Sequence, residues 1–336
     1  MILSRTPFRI SFFGGGTDYP AWYKENGGAV LSAAINKYCY ITCRYLPPFF
    51  DYKYRIRYYQ REEANQIEDI KHPAVRECLI FSKLDKGLDI VHHADLPAKA
   101  GLGSSSTFTV SLLHALSALK YEMPTKRELA INAIRIEQDK IKENVGSQDQ
   151  TAAAFGGLNL IEFGGTDEIT VRQMIVSPTR IADLEQHLML FFTGFSRTAS
   201  DIAKEQIQLI PSKTSNLNQM MNLVTEATVL LQDKTDRLDD FGRLLHEQWL
   251  VKKQMSSQIT NGDIDAIYQA GMNAGALGGK LLGAGGGGFM LFFVKPEQQS
   301  QVRQALSHLL YVPARFDHLG SQIIYHSPED SLEDEY

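Results

Sequence analysis

The sequence predicts an α+β protein that folds into two domains, and three observations support this prediction. The chain has 336 residues, which is long for one domain and suits two of ordinary size. In its first half, segments rich in β-branched and aromatic residues alternate with segments of helical periodicity, whereas the second half is mostly helical. This change of pattern falls near residues 180–187. We therefore expect an N-terminal domain over residues 1–184, a C-terminal domain over residues 185–328 and an acidic tail over residues 329–336.

The composition is typical of a globular protein with a hydrophobic core. Hydrophobic residues make up 43% of the chain and the net charge is −5, so nothing in the overall charge favours nucleic acid or an anionic membrane as a partner. No apolar run approaches the roughly 18–20 residues that a membrane span needs, and Arg5 and Arg9 interrupt the N-terminal stretch that a signal peptide would need. Cys39, Cys43 and Cys78 are too few for a disulfide framework and are expected in the core. We expect a cytoplasmic protein with no nucleic-acid or membrane partner; the oligomeric state stays open.

Strands are predicted where β-branched and aromatic residues are concentrated between turn residues. They fall at residues 8–13, 29–43, 188–193, 289–294 and 322–325. Residues 52–59 alternate basic and aromatic side chains. That pattern could serve a nucleic-acid interface, but a half-buried strand with a solvated charged face explains it more simply.

Helices are predicted from apolar residues at helical spacing and from capping patterns. Residues 106–119 carry such spacing, and Thr125 with Glu128 forms a capping-box pattern that opens a helix running to about Asn144. The second half is predicted to be helical between residues 198 and 275, with breaks at Pro211 and at the Asn261-Gly262 turn. A last helix is predicted over residues 297–310.

The clearest motif is Leu-Pro-Ala-Lys-Ala-Gly-Leu-Gly-Ser-Ser-Ser-Thr at residues 96–107, which leads directly into a predicted helix. Gly101 and Gly103 allow a tight turn and the close approach of a ligand. The start of the helix presents amide groups and the positive end of the helix dipole to an anion. One serine would be enough for an N-cap, so three serines after Gly-Leu-Gly favour a phosphate site over a simple cap.

A second glycine-rich turn follows the first predicted strand. Residues 14–18 read Gly-Gly-Gly-Thr-Asp, so a ligand or another backbone can approach the chain closely here. Asp18 could accept hydrogen bonds from substrate hydroxyls. Glycine turns with an aspartate are common, however, and this one by itself indicates only a candidate binding loop.

A third glycine-rich segment spans residues 278–289 and reads Gly-Gly-Lys-Leu-Leu-Gly-Ala-Gly-Gly-Gly-Gly-Phe. Residues 283–288 match the pattern G-x-G-x-x-G of dinucleotide-binding proteins. That motif must open a helix, whereas here a predicted strand follows it. The chain also lacks G-x-x-x-x-G-K-[ST]. We therefore exclude both a dinucleotide-binding fold and a P-loop NTPase.

Two acidic residues stand out by their positions. Glu137 lies on the apolar face of the helix that begins after Thr125, where an unpaired carboxylate is costly, so it needs a structural cation or a metal ion as partner. Position alone does not decide between the two. Asp149 lies in the segment Gly-Ser-Gln-Asp-Gln-Thr, where it is either a first-turn acid favoured by the helix dipole or a base beside a phosphate site.

Taken together, these segments resemble the motifs of the GHMP kinase superfamily, which includes galactokinase, homoserine kinase, mevalonate kinase and phosphomevalonate kinase. Residues 6–18 are similar to its first motif, residues 97–106 to its P-x-x-x-G-L-G-S-S-x motif and residues 279–288 to its third, glycine-rich motif. The three follow the family's order and span nearly the whole chain. The resemblance implies an N-terminal domain of the ribosomal-protein-S5-like type and a C-terminal ferredoxin-like domain, with the active site between them and the third motif near the phosphate loop.

The resemblance also implies a role for each matching residue, with ATP and Mg²⁺ as cofactors. Asp149 would be the catalytic aspartate and Arg9 its cationic partner, while Ser105 and Glu137 would hold Mg²⁺, which favours the metal as the partner of Glu137. Phosphoryl transfer depends on such positioning and charge neutralisation more than on covalent chemistry. The implied ATP-binding residues are Lys99, Gly101, Leu102, Gly103, Ser104, Ser105 and Ser106. The implied substrate-binding residues are Gly15, Gly16, Thr17, Asp18, Gly285 and Gly286.

Arg197 is a further candidate, as the anchor for a phosphate group already on the substrate. It follows a predicted strand in a Gly-Phe-Ser turn and precedes a helix that starts near Thr198, whose N-terminus would itself favour an anion. A guanidinium group suits a phosphate because it can donate two parallel hydrogen bonds. The alternative is an ordinary surface arginine.

Within the family, the first motif narrows the substrate class. A galactokinase carries Gly-Glu-His-Thr-Asp where this chain has Gly-Gly-Gly-Thr-Asp at residues 14–18, so the glutamate that would hold a hexose's terminal hydroxyl is missing. This motif and residues 148–157 and 192–199 look most like the D-glycero-D-manno-heptose 7-phosphate kinases, which phosphorylate the anomeric hydroxyl on the way to a GDP-heptose. The chain differs from that group in having Ala-Gly-Leu-Gly-Ser-Ser-Ser at residues 100–106, where Ser-Gly-Leu-Gly is frequent.

Two other functions remain open at this stage. One is another GHMP sugar kinase, similar to galactokinase or fucokinase. The other is a catalytically silent sensor of a sugar or nucleotide on the same fold. The joint presence of Arg9, Ser105, Glu137 and Asp149 argues against the sensor, because binding alone does not need a base.

Overall fold

The structure of the chain is a computed structural model that describes residues 1–98, 100–164, 168–194, 199–233 and 237–327. Two predicted site residues, Lys99 and Arg197, lie outside the described residues, and so does the predicted tail over residues 329–336.

Helices and strands are mixed along the chain, which confirms the predicted α+β class. The strands are β1 (Ile2–Phe13), β2 (Gly28–Tyr45), β3 (Tyr54–Arg57), β4 (Arg61–Ala64), β5 (Leu88–Ala94), β6 (Leu158–Gly164), β7 (Glu168–Gln173), β8 (Leu188–Phe192), β9 (Ala276–Leu281), β10 (Phe289–Val294), β11 (Leu310–Val312) and β12 (Gln322–His326). The helices are α1 (Pro20–Asn26), α2 (Pro73–Ser82), α3 (Ser104–Leu119), α4 (Lys126–Arg135), α5 (Gln148–Phe155), α6 (Pro178–His187), α7 (Ala199–Leu209), α8 (Thr214–Gln232), α9 (Leu238–Lys253), α10 (Gly262–Asn273) and α11 (Gln299–Ala305).

The first sheet is organised around the long strand β2. Its strand order is β12-β1-β2-β5-β3-β4, and β6 with β7 extends the sheet from another part of β2. The first part of β2 pairs with β6 and its last part with β5, so one strand supports two different neighbours. Helix α3 packs across β1 and β2, and apolar side chains of all three elements form much of the core of this half. The loop before α3 is thereby fixed next to the end of β1.

The second sheet has the strand order β11-β8-β10-β9, and every pair in it is antiparallel. Helices α7 to α10 connect β8 to β9, a short turn connects β9 to β10, and α11 connects β10 to β11. This is the ferredoxin-like arrangement of two split βαβ units that the family resemblance implied. All six residues of β10 are buried, and helices α6 and α9 both pack against this strand.

The helix predicted to run from Thr125 to about Asn144 is shorter than expected. The capping box at Thr125 and Glu128 is present, and α4 begins there. After Arg135 the helix continues as a π-helical turn, Ile136–Lys140, in which the amide of Ile141 donates to the carbonyl of Ile136. The chain leaves the helix just beyond this turn, where Lys142 has a positive φ of 61°.

The end of the chain also differs from the prediction in one respect. The helix predicted over residues 297–310 is a 3₁₀ turn followed by the short helix α11, and the remaining residues lead into β11. Strand β12 forms where a strand was predicted, but it pairs with β1 in the first sheet. The chain therefore returns to the N-terminal sheet after completing the second one. The boundary predicted at residue 184 stays a prediction.

The basic and aromatic segment at residues 52–59 contains a half-buried strand, as predicted. Tyr54 and Ile56 of β3 point into the core, while Arg55 and Arg57 donate hydrogen bonds to the buried carboxylate of Asp89. These arginines thus have a structural partner. The three cysteines are buried free thiols. Among the described residues, no helix is both long and apolar enough to cross a membrane.

Candidate active site

A cavity of about 380 Å³ lies between the two halves of the chain. The N-terminal half contributes residues of β1 and the turn after it, the loop before α3 and the start of α5. The C-terminal half contributes residues of α7, α9 and β9 and the turn that follows β9. Most of the motifs identified in the sequence therefore meet around one space.

The loop before α3 has the geometry of a phosphate-binding loop. Gly101 and Gly103 have positive φ values of 77° and 78°, and α3 begins directly after Gly103. The amides in the first turn of a helix have no partner within the helix, so this turn is suited to bind an anion. Residues 104–106 all line the cavity. Leu102 is fully buried, and its carbonyl accepts a hydrogen bond from the amide of Arg9 (3.2 Å), so it anchors the loop to β1.

The third glycine-rich motif forms the turn between β9 and β10 and packs against the phosphate loop, as expected. A Cβ atom on Gly283 would lie 2.6 Å from the Cα of Gly101. A Cβ atom on Gly288 would lie 2.4 Å from the carbonyl oxygen of Ala100. The motif opens no helix, which agrees with the exclusion of a dinucleotide fingerprint. Its glycines serve the close contact of two backbones.

Gly285 and Gly286, which were expected to contact substrate, face another part of the protein. The amide of Gly286 donates to the carbonyl of Ile259 (2.9 Å), and a Cβ atom on Gly285 would lie 2.7 Å from the Cα of Ile259. Neither residue lines the cavity. The preceding residues Gly283 and Ala284 line the cavity, and the turn leads away from the cavity after Ala284.

Arg9 and Asp149, which both line the cavity, form an ion pair with two parallel hydrogen bonds. Arg9 Nε donates to Asp149 Oδ1 and Arg9 Nη2 donates to Asp149 Oδ2, each at 2.8 Å. A third donor, Nη1, reaches the carbonyl of Gly101 at 3.0 Å. The Arg9 side chain is 4% exposed and that of Asp149 is 16% exposed, so the carboxylate is the more accessible partner. The pair is thereby held against the phosphate loop.

Glu137 lies under the first turn of α3, and its partners are hydroxyl and amide groups. Ser106 and Thr109 donate to its two carboxylate oxygens at 2.7 and 3.0 Å, Ser105 donates at 3.4 Å, and Gln150 adds an amide. In the parts of the chain that the structure describes, no cationic side chain pairs with Glu137, so the alternative of a structural cation is not found. Burial raises the pKa of the Glu137 carboxyl to about 7, and the nearby carboxylate of Asp149 adds to the increase.

Asp18 closes the glycine turn after β1 and lines the cavity. Its Oδ1 accepts from the amide of Gly16 (2.9 Å) and its Oδ2 from the amide of Gln148 (3.3 Å), which joins this turn to the start of α5. Burial raises the pKa of the Asp18 carboxyl above its ordinary value. Gly15 and Gly16 also line the cavity. Thr17 does not, because its hydroxyl is bound to the carbonyls of Gly14 and Ala29 inside the protein.

The sequence interpretation missed two buried lysines that line the cavity, Lys252 of α9 and Lys280 of β9. Lys252 Nζ donates to the carbonyls of Leu281 (3.2 Å) and Gly283, and Lys280 Nζ donates to the carbonyl of Phe12 (2.9 Å). Burial lowers the pKa of Lys252 to about 7 and also lowers that of Lys280. The sequence criterion that identified Glu137, a charged residue on the apolar face of a helix, also applies to Lys252, which lies on the buried apolar face of α9.

Two segments of the chain match the sequence models of known protein families. The model of the GHMP kinases N-terminal domain matches residues 70–157, and that of the GHMP kinases C-terminal domain matches residues 229–312. The chain belongs to the GHMP kinase family. These matches cover the phosphate loop and Asp149 in the first half, and the third motif in the second.

Relatives within the GHMP family agree with this assignment over nearly the whole chain. D-glycero-alpha-D-manno-heptose 7-phosphate kinase of Campylobacter jejuni is 29% identical over 317 residues, which are 91% of this chain and 93% of that protein. The bifunctional fucokinase/GDP-fucose pyrophosphorylase of Arabidopsis thaliana is 25% identical over 331 residues, 89% of this chain and 30% of that protein. A crystal structure described as a D-glycero-D-manno-heptose 1-phosphate kinase from Bacteroides thetaiotaomicron superposes with a TM-score of 0.80, at 24% identity, over 98% of this chain and 100% of that one.

These findings confirm the predicted enzyme class and fold. The chain is an ATP-dependent sugar kinase of the GHMP family, with a small-molecule acceptor. The agreement with the crystal structure supports the two-sheet architecture described above, since at this identity it concerns the fold alone.

The GHMP family implies a Mg²⁺ ion with the ATP, and the residues under α3 fit one. Ser105 and Glu137 offer only oxygen atoms, the ligands that Mg²⁺ prefers. Glu137 is 1% exposed and lacks a cationic partner among the described residues. A bound cation would stabilise the charged carboxylate and lower its pKa, which burial raises. In the described ranges, no group of three or more His, Cys, Asp or Glu side chains is placed to hold a metal ion.

Aromatic side chains line the end of the cavity beyond the phosphate loop. His72 stacks on Phe108 with ring centroids 4.7 Å apart, and the edges of Tyr58 and His92 contact this pair. Burial lowers the pKa of His92 to about 4, so this ring is neutral at physiological pH. Such rings can stack on a planar base. No local pattern links these residues, because they follow β3, precede α2 and lie in β5 and α3.

Proposed function

We propose that the chain transfers the γ-phosphoryl group of ATP to the anomeric hydroxyl of D-glycero-D-manno-heptose 7-phosphate, as a step towards a GDP-heptose. The phosphates of ATP would bind the loop before α3, with the adenine on the aromatic end of the cavity. The acceptor would bind on the opposite side, beside Gly15, Gly16 and Asp18.

Residues that line the cavity can assist each part of this phosphoryl transfer. The acceptor oxygen forms a bond to the γ-phosphorus while the bond from that phosphorus to the β–γ bridging oxygen breaks, and the electron pair stays on ADP. The proton of the acceptor hydroxyl goes to the Asp149 carboxylate, which Arg9 orients. Mg²⁺, held by Ser105 and Glu137, would neutralise charge on the β- and γ-phosphates.

The observation that carries the proposal is the Arg9–Asp149 pair, fixed to the phosphate loop through Gly101. The two hydrogen bonds from Arg9 to Asp149 measure 2.8 Å and the one from Arg9 to the carbonyl of Gly101 measures 3.0 Å. Both Arg9 and Asp149 line the cavity. A base and a cation placed beside a phosphate loop serve phosphoryl transfer. A silent sensor would need the loop but not the oriented carboxylate, so the geometry favours an active kinase over that alternative.

The choice of a heptose phosphate rests on the relatives and on the glycine turn. The Campylobacter relative is named for heptose 7-phosphate, and the structural neighbour is named for heptose 1-phosphate. These two names imply different acceptor positions. Gly15 and Gly16 present no side chain at the cavity, and a Cβ on Gly15 would lie 3.4 Å from Oγ of Ser11 and 3.6 Å from Nε2 of Gln148, which also line the cavity. This leaves room for an acceptor larger than a hexose.

A kinetic survey of acceptors tests the proposal. Release of ADP is measured with heptose 7-phosphate, heptose 1-phosphate, galactose, L-fucose and mevalonate at saturating Mg²⁺-ATP. We expect heptose 7-phosphate to give the highest kcat/KM. A higher value with an unphosphorylated sugar, or with heptose 1-phosphate, would refute the assignment of the acceptor while leaving the kinase intact.

A fucokinase-like activity is the second candidate. It is favoured by the plant fucokinase relative, which matches 89% of this chain. L-Fucose carries no phosphate, so the two candidates differ in whether the site needs a second anion anchor. The same survey separates them, because a fucokinase turns over L-fucose without any phosphorylated sugar.

A further inference from the structure

Lys252 is a buried ammonium group for which the proposed roles give no use. It is 6% exposed, lies in the last turn of α9 and lines the cavity. Two of its three N–H donors are bound by the carbonyls of Leu281 and Gly283. No other hydrogen bond from Lys252 occurs among the described residues. One donor thus remains for a ligand in the cavity.

The position of Lys252 relative to the phosphate loop follows from its contacts. Gly283, whose carbonyl it binds, packs backbone to backbone against Gly101, and Gly101 accepts a hydrogen bond from Arg9. Lys252 therefore binds a residue that packs on the phosphate loop, and Arg9 binds the same glycine of that loop directly. Glu137, in contrast, is bound by side chains in the first two turns of α3.

The charges around Lys252 leave it without a balancing anion. Lys252 interacts electrostatically with two basic residues, Arg9 of β1 and Lys280 of β9, and with the acidic residue Asp18 in the turn after β1. Arg9 is already paired with Asp149, and Asp18 is occupied by two backbone amides. No carboxylate in the described ranges forms an ion pair with Lys252. A buried charge of this kind is costly unless an anion joins it.

We propose that Lys252 is a further catalytic residue, whose ammonium group binds the phosphoryl group during its transfer. This inference rests on the proposed function only for the identity of the acceptor. As the phosphorus leaves the bridging oxygen of ATP and bonds to the acceptor oxygen, charge collects on its three outer oxygens. Arg9 and Lys252 then neutralise this charge.

The variant Lys252→Met tests this role, with Lys253→Met as its matched control. Lys253 is the next residue of the same helix, but it pairs with Asp265 at 3.3 Å outside the cavity. We expect Lys252→Met to lower kcat by roughly 10- to 100-fold, with the KM values of ATP and acceptor changed by less than about threefold. The control should keep the wild-type values.

Binding of MgADP with aluminium fluoride, which imitates the phosphoryl group in transfer, gives a readout that needs no knowledge of the acceptor. Aluminium fluoride should tighten MgADP binding to the wild type and to Lys253→Met, but much less to Lys252→Met. Affinity for MgADP alone should be equal in all three. If no sugar phosphate is turned over, the proposed function fails, whereas this measurement still decides the role of Lys252.

The pH profile separates a catalytic from a merely structural role. Burial and Arg9 lower the pKa of Lys252 to about 7 in the free enzyme, so its charge is lost as the pH rises through 7. The wild-type kcat/KM for ATP should therefore fall on the alkaline side of pH 7, and Lys252→Met should lack this decrease.

Three results would overturn the inference. The first is a Lys252→Met enzyme with kcat within threefold of the wild type. The second is a loss confined to the KM of the acceptor, which would make Lys252 an acceptor anchor. The third is a wild-type profile without the alkaline decrease, and this result counts even if the variant does not fold.

Discussion

At the scale of single residues, the Arg9 guanidinium joins two functions in one side chain. It orients Asp149 through two parallel hydrogen bonds and binds the carbonyl of Gly101 with a third. The proposed base is thereby fixed relative to the loop that would hold the phosphate it acts upon. Such positioning is the main contribution that a protein can make to phosphoryl transfer.

Replacing Asp149 by Asn should abolish turnover while ATP binding stays within a few-fold of the wild type. The amide keeps the shape of the side chain but accepts no proton from the acceptor. Steady-state kinetics and ATP titration measure the two effects, with Asp139→Asn, an exposed acid of the π-helical turn, as control. A variant that keeps a tenth or more of the wild-type kcat would exclude Asp149 as the base.

Glu137→Gln should weaken the binding of Mg²⁺-ATP more than that of the acceptor, because Glu137 is the buried carboxylate next to Ser105. The amide can still meet the hydroxyls of Ser106 and Thr109 but gives no negative charge to a cation. Titrations with Mg²⁺-ATP and with acceptor measure the difference. Glu143→Gln, at another acid that lines the cavity, should leave both unchanged. Equal losses for both ligands would speak against the metal site.

Arg197→Ala should raise the KM for heptose 7-phosphate by roughly tenfold to a hundredfold, or about 1.4–2.7 kcal/mol, the range of a charged hydrogen bond. Arg197 lies outside the described residues, so this expectation depends on its sequence context. The KM for ATP should hardly change. Kinetics with both substrates varied would measure this, with the exposed Arg237 replaced by Ala as control. An unchanged KM for the sugar phosphate would remove Arg197 from the site.

Sequence reasoning at this scale found residues whose type conflicts with their surroundings. Glu137 was found because a carboxylate on an apolar helix face needs a partner. Lys252 follows the same rule but was missed, because the test was applied only to acids. Thr17 fitted a motif, yet its hydroxyl binds the carbonyl oxygen of Ala29 inside the protein. A motif fixes which backbone turns are present, whereas the direction of each side chain depends on the packing of distant elements.

At the scale of elements, the π-helical turn after α4 could not be read from the sequence. Apolar spacing predicted one continuous helix to about Asn144, and the residues of the turn are compatible with an ordinary α-helix. The π-helical turn contains one residue more than an α-helical turn, and Glu137 is one of its residues. Such turns are frequent at functional sites. The capping box at Thr125 was predictable because its hydrogen bonds are local.

The contact between the phosphate loop and the third motif gives a prediction for Gly283→Ala. Gly283 has a positive φ of 76°, and a Cβ there would lie 2.6 Å from the Cα of Gly101. The loop must move, so the KM for ATP should rise roughly tenfold, the effect of about 1–2 kcal/mol of strain. Gly262→Ala is the control, since nothing lies within 4 Å of a Cβ at that position. If both variants bind ATP like the wild type, the contact does not support the phosphate loop.

At the scale of the whole molecule, the family resemblance gave the architecture that residue patterns could not give. Strand and helix patterns predicted six of the twelve strands that the structure describes and most of the helices, but not which strands pair. The pairing of β12 with β1 joins the two ends of the chain, and such long-range contacts leave no local pattern. The cavity likewise depends on the position of one sheet relative to the other, and it brings Lys252 of the second half next to Arg9 of the first.

The most direct test of the account is to identify the bond that the enzyme makes. Phosphorus NMR is recorded on heptose 7-phosphate after incubation with ATP, Mg²⁺ and either the wild type or Asp149→Asn. We predict that the wild type gives one new phosphate signal, coupled to the anomeric proton, together with an equal amount of ADP, and that the variant gives none. A new phosphate on any other carbon, or ADP formed without a new sugar phosphate, would contradict the account.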